Sequence, residues 1–251
     1  MSNLHRFSRT EILIGPEGLE KLRTSSVALF GLGGVGSYAA EALCRAGVGR
    51  ITLVDFDDIC VSNINRQLLA LDDTVGKAKT QVMAERMRLI NPQAEIVPYR
   101  EFYSAESADL LLSGHHDYVL DAIDHFTSKV HLIKRCREQG IPIISSMGAA
   151  MKRDPTLIRV ADISQTSKCR MARSVRKLLR KEGIESGVTV VYSTEEFPGF
   201  PVPDEQCEAI IPLPAVQGEW RRRVVLGSIS YLPALFGLTM AGVVVNALID
   251  R

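Results

Sequence analysis

The sequence contains no Cys-x-x-Cys pair, and its cysteines are odd in number: Cys44, Cys60, Cys136, Cys169 and Cys207. That pattern argues against a disulfide framework and against a four-cysteine structural zinc site. Excess charge is also missing, because 30 Lys and Arg face 29 Asp and Glu and leave +1. Bulk electrostatics therefore select no nucleic acid, and any such partner has to be recognised by a local patch. The opening residues MSNLHRFSRTEIL carry no apolar run of the signal-peptide kind. With the thiol usage, this predicts a reducing, cytoplasmic setting. There is no internal repeat. Hydrophobic residues at 46% and charged residues at 24% of 251 suit a packed core rather than disorder. The length suits one large α/β unit.

The first 150 residues alternate between strand and helix signals. SVALFG (26–31) reads as a buried strand that runs into glycines, 34–46 as a helix closed by Gly47 and Gly49, and ITLVD (51–55) as the next strand. Lys77–Asn91 is a helix stopped at Asn91-Pro92. AEIVPY (94–99) is a strand that Pro98 places at an edge or an end. A short helix at SADLLL, a strand at 117–124, a helix at 125–139 and a strand at 141–149 continue the series. Such alternation predicts a mostly parallel sheet with helices on both faces. Beyond residue 150, LIRVADI (157–163) reads as an antiparallel strand, 167–182 as a basic amphipathic helix, VTVVYSTE (188–195) as a strand and 197–219 as a long loop. The apolar segment 232–249 is long enough to raise a membrane reading, which stays open. Pro233, Gly237, Thr239, Gly242 and Asn246 interrupt it and favour a buried core helix.

The turn Gly31-Leu32-Gly33-Gly34-Val35-Gly36 brings backbone N–H groups to a helix start, where a phosphate binds. Asp55, 24 residues after Gly31, stands where a dinucleotide fold places the acid that binds ribose hydroxyls. NAD would satisfy both features. The stretch that follows favours ATP: Asp57, Asn63, Asn65, Arg66 and Gln67 crowd just past a strand end, and Lys79 opens the next helix. Cations at that spot suit a triphosphate losing pyrophosphate. Asp124, read as the end of a third strand, is a candidate Mg²⁺ ligand. Asp121 shares its sheet face, or caps a helix. His125 serves phosphate contact or the helix start, and His115-His116 reads as a polar loop.

Together these residues resemble the ubiquitin-activating-enzyme-like adenylyltransferases, the ThiF, MoeB and HesA family. The resemblance runs from Arg6 to about Gly148 and includes Arg6-Phe7-Ser8-Arg9, the glycine turn, Asp55-x-Asp57, Ser62-Asn63-x-Asn65-Arg66-Gln67, Val75-Gly76-x-x-Lys79 and Asn91-Pro92. It implies a Rossmann-like, doubly wound fold with a C-terminal extension of antiparallel strands and helices. It also implies a single adenylation domain over 1–251: a nucleotide-binding half (1–150) and a substrate-binding and dimerisation half (151–251). Gly31, Gly33, Gly34 and Gly36 would cradle phosphate and Asp55 would bind ribose. Asn63, Arg66 and Lys79 would hold the triphosphate, and Asp124 the Mg²⁺. Arg9 matches an arginine that reaches into the neighbouring subunit of a homodimer. With Arg66, Lys79 and Asp124 it completes the catalytic set.

The sulfur-carrier activators of this family carry two zinc-binding Cys-x-x-Cys pairs, which this chain lacks. Its second half instead resembles the tRNA threonylcarbamoyladenosine dehydratases, through Gly148-Ala149, Asp154-Pro155-Thr156, Val190–Glu195 and Gly227–Ser230. That implies ATP-dependent ring closure on a tRNA base through an acyl adenylate. Activation of a ubiquitin-like sulfur carrier is the alternative, and the family leaves room for a sulfur-transfer protein as a further partner. A tRNA substrate requires cations, and Lys168, Arg170, Arg173, Arg176, Lys177 and Arg180 supply them with no acid between. Arg173, Arg176 and Arg180 are expected on one open helix face, with Arg221, Arg222 and Arg223 extending it. Cys207 is the thiol to watch for catalysis.

Overall fold

The computed structural model describes residues 4–196 and 226–251. Cys207, Arg221–Arg223 and the 197–219 stretch lie outside the described residues.

Helix α1 (Ser8–Thr24) breaks at Gly15, whose φ is 74°, just before Pro16. Strand β1 (Ser26–Phe30) is buried along its whole length. Side chains alternate across a strand, so Val27 and Leu29 enter one core cluster while Ala28 and Phe30 enter the other. Helix α2 (Gly36–Ala46) ends at Gly47, a left-handed cap whose N–H reaches back to Cys44 O. Strand β2 (Arg50–Val54), helix α3 (Lys79–Ile90), strand β3 (Glu95–Tyr99), the single turn α4 (Ala108–Leu111) and strand β4 (Tyr118–Asp121) follow. Next come α5 (Phe126–Glu138), β5 (Ile143–Ser146), β6 (Ile158–Asp162), α6 (Arg170–Lys181), β7 (Thr189–Ser193) and α7 (Tyr231–Ile249).

One seven-stranded sheet results, in the order β3-β2-β1-β4-β5-β7-β6. All neighbouring pairs are parallel except β6 with β7. Pro98 lies in β3, an edge strand, where its missing N–H costs little. The α/β fold and the antiparallel pair match the sequence expectation. Among the described residues the second half builds no sheet of its own, because β7 pairs directly with β5.

Two boundaries that bear on the site differ from the sequence reading. Strand β4 stops at Asp121 and does not reach Asp124. The Asp121 carboxylate accepts the N–H of Ile123 at 3.0 Å, a turn that bends the chain off the sheet. Asp121 does not cap α5 either; His125 does, accepting from Ser128 N. The basic helix begins only at Arg170, with Cys169 as its cap.

By length and composition α7 could cross a membrane, and half of that span is buried inside the protein. Leu232, Phe236, Met240, Val244 and Leu248 enter the core. Gly237 lets α7 seat against α2, since a Cβ there would fall 2.2 Å from Val35 O.

Candidate active site

Strand order reverses between β1 and β4, so the chain leaves their carboxyl ends in opposite directions and opens a crevice. The glycine turn follows β1 and the Ala122–His125 turn follows β4. The two turns touch. Gly31 has φ +90°, and a Cβ on it would meet Ala122 O at 2.8 Å. Gly34 packs against Arg66 and Pro233, whose nearest atoms would lie 3.2 and 3.0 Å from an added Cβ. Gly33 differs, because only Gln67 Nε2 comes within reach of such a Cβ, at 4.0 Å. Gly36 is closed as well, since its Cβ would fall 1.7 Å from Gly31 O, so internal packing explains three of the four glycines. At Gly33 the open space fits an approaching phosphate.

Asp55 follows β2 and is 9% exposed. One carboxylate oxygen accepts Leu32 N–H of the glycine turn at 2.6 Å, and the other accepts Asp57 N–H at 2.9 Å. Burial pushes this carboxyl above its usual range, against the pull of Lys79 and the two backbone donors. Lys79 Nζ stands 3.8 Å from Asp55 and 2.7 Å from Asp57, and the residue is 5% exposed. Lys79 is thus an ammonium held beside the glycine turn by two acids.

The 60–67 segment winds over the other side. Asn63 accepts Cys60 N–H at 3.0 Å, and its carbonyl receives Arg66 and Gln67 N–H, so its resolved bonds build the loop. Arg66 donates to Ser62 O at 2.8 Å and to Asn65 Oδ1 at 2.9 Å. Asn65 in turn donates to Ser228 O at 3.1 Å, which ties this loop to the residues entering α7. Ser37 locks the arrangement, since its hydroxyl donates to Gly33 O at 2.7 Å and accepts Leu68 N–H at 3.2 Å. Gln67 Oε1 is buried and has no hydrogen-bond partner among the described residues. It is Gln67 Nε2, not this acceptor, that faces the open space at Gly33.

Asp124 is exposed in the turn after β4, three residues past the strand end. The Arg66 stem packs on Gly34, Lys79 meets the glycine turn only through Asp55, and the turn bearing Asp124 touches Gly31 at Ala122. Arg9 does not join them within this chain. It is exposed on α1, and Phe7 beside it packs near Gly47, at the opposite end of α2 from the glycine turn. Among the described residues no group of three or more His, Cys, Asp or Glu could hold a metal ion. A Mg²⁺ here would rest on one carboxylate, phosphate oxygens and water, which is its usual habit at nucleotides.

The basic helix departs from the open-face expectation. Arg173, Lys177 and Arg180 are exposed. Arg176 is half-buried, and its guanidinium donates to Ile163 O at 3.2 Å, to Thr166 O at 3.0 Å and to the Thr166 hydroxyl. It braces the turn before α6 and does not line an open face. Lys168 pairs with Glu196 at 2.9 Å, and Arg170 is exposed.

Reading the sequence missed a buried network under the β4 turn, formed by Asp121, Lys129, Ser145 and Ser146. A signal was available. Lys129, Leu132, Ile133 and Cys136 share helical spacing, so Lys129 sits on the buried stripe of α5.

Known proteins match this arrangement. The chain is 53% identical over 192 residues, 76% of its length and 76% of the relative's, to the tRNA threonylcarbamoyladenosine dehydratase of Bacillus subtilis (strain 168). The crystal structure of the Escherichia coli tRNA N6-threonylcarbamoyladenosine dehydratase in complex with ATP superposes with a TM-score of 0.83 at 34% identity, covering 98% of this chain and 94% of that one. The molybdopterin-synthase adenylyltransferase of Escherichia coli (strain K12) is more distant, 35% identical over 65% of this chain and 66% of its own. The ThiF family model matches residues 7–251, and the chain belongs to the ThiF family.

Proposed function

We propose that this chain is a cytoplasmic, ATP-dependent tRNA threonylcarbamoyladenosine dehydratase that works through an acyl adenylate. One observation carries the reading: over 98% of its length the chain superposes, with a TM-score of 0.83, on a dehydratase in complex with ATP.

The chemistry follows from the substrate's threonyl carboxylate. Hydroxide is a poor leaving group, so the carboxylate does not condense at neutral pH. Attack of a carboxylate oxygen on the α-phosphorus forms the acyl–phosphate bond and breaks the bond to pyrophosphate. An atom within the same modification then attacks the acyl carbon, closes a ring and releases AMP. Intramolecular attack has a high effective molarity, so no enzyme nucleophile is needed. The buried thiols suit that economy: burial pushes Cys44 up to about 11 and Cys136 up to about 12, away from thiolate chemistry.

In this reading Gly33 and its neighbours receive phosphate, and Asp55 binds the ribose hydroxyls. Arg66 and Lys79 offset the charge that develops as pyrophosphate leaves. Asn63, Asn65 and Gln67 shape that wall, and Asp57 holds Lys79 in place until the nucleotide competes for it. Asp124 would hold Mg²⁺, which supplies charge neutralisation at the phosphates. Lys168, Arg170, Arg173, Lys177 and Arg180 would contact tRNA phosphates. The chain acts as a homodimer in which Arg9 reaches the partner's nucleotide. Ile12 and Leu13, 85% and 84% exposed on α1, support an apolar contact there.

The test is pyrophosphate release from ATP with three substrates: tRNA bearing the modification, tRNA without it, and a ubiquitin-like sulfur-carrier protein. Release with modified tRNA alone is expected. Release with the carrier alone overturns the proposal in favour of a sulfur-carrier adenylyltransferase.

A further inference from the structure

Lys129 is completely buried, and so is Asp121. Its Nζ donates to Asp121 Oδ2 at 2.7 Å, to Ser145 Oγ at 3.1 Å and to Ser146 O at 3.0 Å, which uses all three ammonium hydrogens. Ser145 Oγ donates to the same Asp121 oxygen at 2.6 Å, while Asp121 Oδ1 takes Ile123 N–H. The network thus joins the ends of β4 and β5 to the first turn of α5. Directly above it lies the Ala122–His125 turn, pinned by Ala122 N–H on Phe30 O at 2.8 Å and pressed against Gly31. A buried ion pair is a weak way to stabilise a fold, since apolar residues of similar volume do as well or better. Its placement under this turn gives it another use.

We propose that Lys129 is a positioning residue for adenylation: through Asp121, Ser145 and Ser146 it fixes the turn that carries Asp124 beside the glycine loop. This rests on the reading of Asp124 as the Mg²⁺ ligand. Lys129 touches no substrate. It acts by holding the carboxylate in register, as outer-shell partners of ligating residues do.

The experiment compares Lys129→Met and the neutral double variant Asp121→Asn/Lys129→Met in the full-length protein. Circular dichroism and thermal unfolding establish folding. Pyrophosphate release is titrated separately with Mg²⁺, ATP and modified tRNA, and the Mg²⁺ dependence of ATP binding is measured by calorimetry with no tRNA present. The expected result is a drop of about 10- to 100-fold in kcat with a raised Mg²⁺ half-saturation and an unchanged KM for tRNA. Should Lys129→Met fail to fold, the double variant, which leaves no unpaired buried charge, carries the test with the same expected shift. A folded variant with the normal Mg²⁺ half-saturation overturns the proposal, whatever its melting temperature. Asp124→Asn is run alongside. Normal Mg²⁺ dependence in that variant sinks the reading of Asp124 itself, whereas a defect there with normal Lys129 variants sinks only the positioning role.

Discussion

Gly36 opens α2 directly over Gly31, so closely that a Cβ on Gly36 would fall 1.7 Å from the Gly31 carbonyl oxygen. Both partners in that contact are backbone, and neither can swing aside. Gly36→Ala must therefore push the start of α2 away from the end of β1. We expect a loss of about 1–3 kcal/mol in unfolding free energy, typical of overpacking, with a larger proportional loss of ATP affinity. Among the described residues Gly33→Ala meets no atom closer than 4.0 Å, and it should leave stability nearly unchanged while ATP affinity falls. Chemical denaturation and nucleotide titration separate the two, and equal ATP binding by Gly33→Ala and the native protein would count against phosphate in that space.

Charge reversal on α6 should divide by exposure. Arg173→Glu and Lys177→Glu are predicted to weaken tRNA binding, to flatten its salt dependence and to leave ATP binding intact. Arg176→Ala is predicted to act on the fold, because its guanidinium holds Ile163 O and Thr166. Loss of those bonds should cost about 1–3 kcal/mol. Gel shifts at two salt concentrations and thermal melts check this. A tRNA-specific defect in Arg176→Ala with an unchanged melt would reverse the assignment.

Two variants should rescue one another. Lys79→Met removes the ammonium beside Asp55 and Asp57, and Arg9→Ala removes the arginine proposed to act in the partner. Each alone is expected to be inactive. After equal mixing and re-association of a twofold dimer, about a quarter of native activity should return, because half the dimers are mixed and each of those has one intact site. No recovery, with mixed dimers demonstrated, would place Arg9 outside catalysis.

Acid should unfold the protein through particular carboxylates. Burial pushes Glu41 up, yet hydrogen bonds from Arg86 and Arg45 outweigh it and hold the group below its ordinary range. Asp162 behaves alike: burial raises it, and bonds from Ser164, Gly187 and Val188 bring it down. For a depressed acid, the folded state binds fewer protons than the unfolded chain. Their stabilisation is therefore complete above the unfolded values near about pH 4 and is lost as pH falls through the lower folded values. Asp55 has the opposite sign, since its raised value makes the folded state a little more stable as it protonates. Denaturant midpoints should stay level from neutral pH to about pH 5 and fall below about pH 4. In Glu41→Gln the fall should be shallower.

The sequence by itself determined the order of elements, the glycine turn, the acid after β2 and the cations that favour ATP. Those signals lie in local backbone chemistry: glycine where φ is positive, a proline on an edge strand, apolar residues at a strand's or helix's own period. Tertiary structure decided what depended on distant partners. Asp121 and Asp124 look alike in the string. One is sealed against Lys129, and the other faces solvent, because β5 brings Ser145 and Ser146 under the turn. Arg176 has the helical spacing of an open-face residue, yet the turn at 163–166 folds beneath it and claims its guanidinium. The apolar run at 232–249 leaves a membrane reading open although its interruptions favour a core helix, and α2 supplies the surface into which Gly237 fits. Periodicity shows which side of an element is apolar, but only packing shows what that side meets.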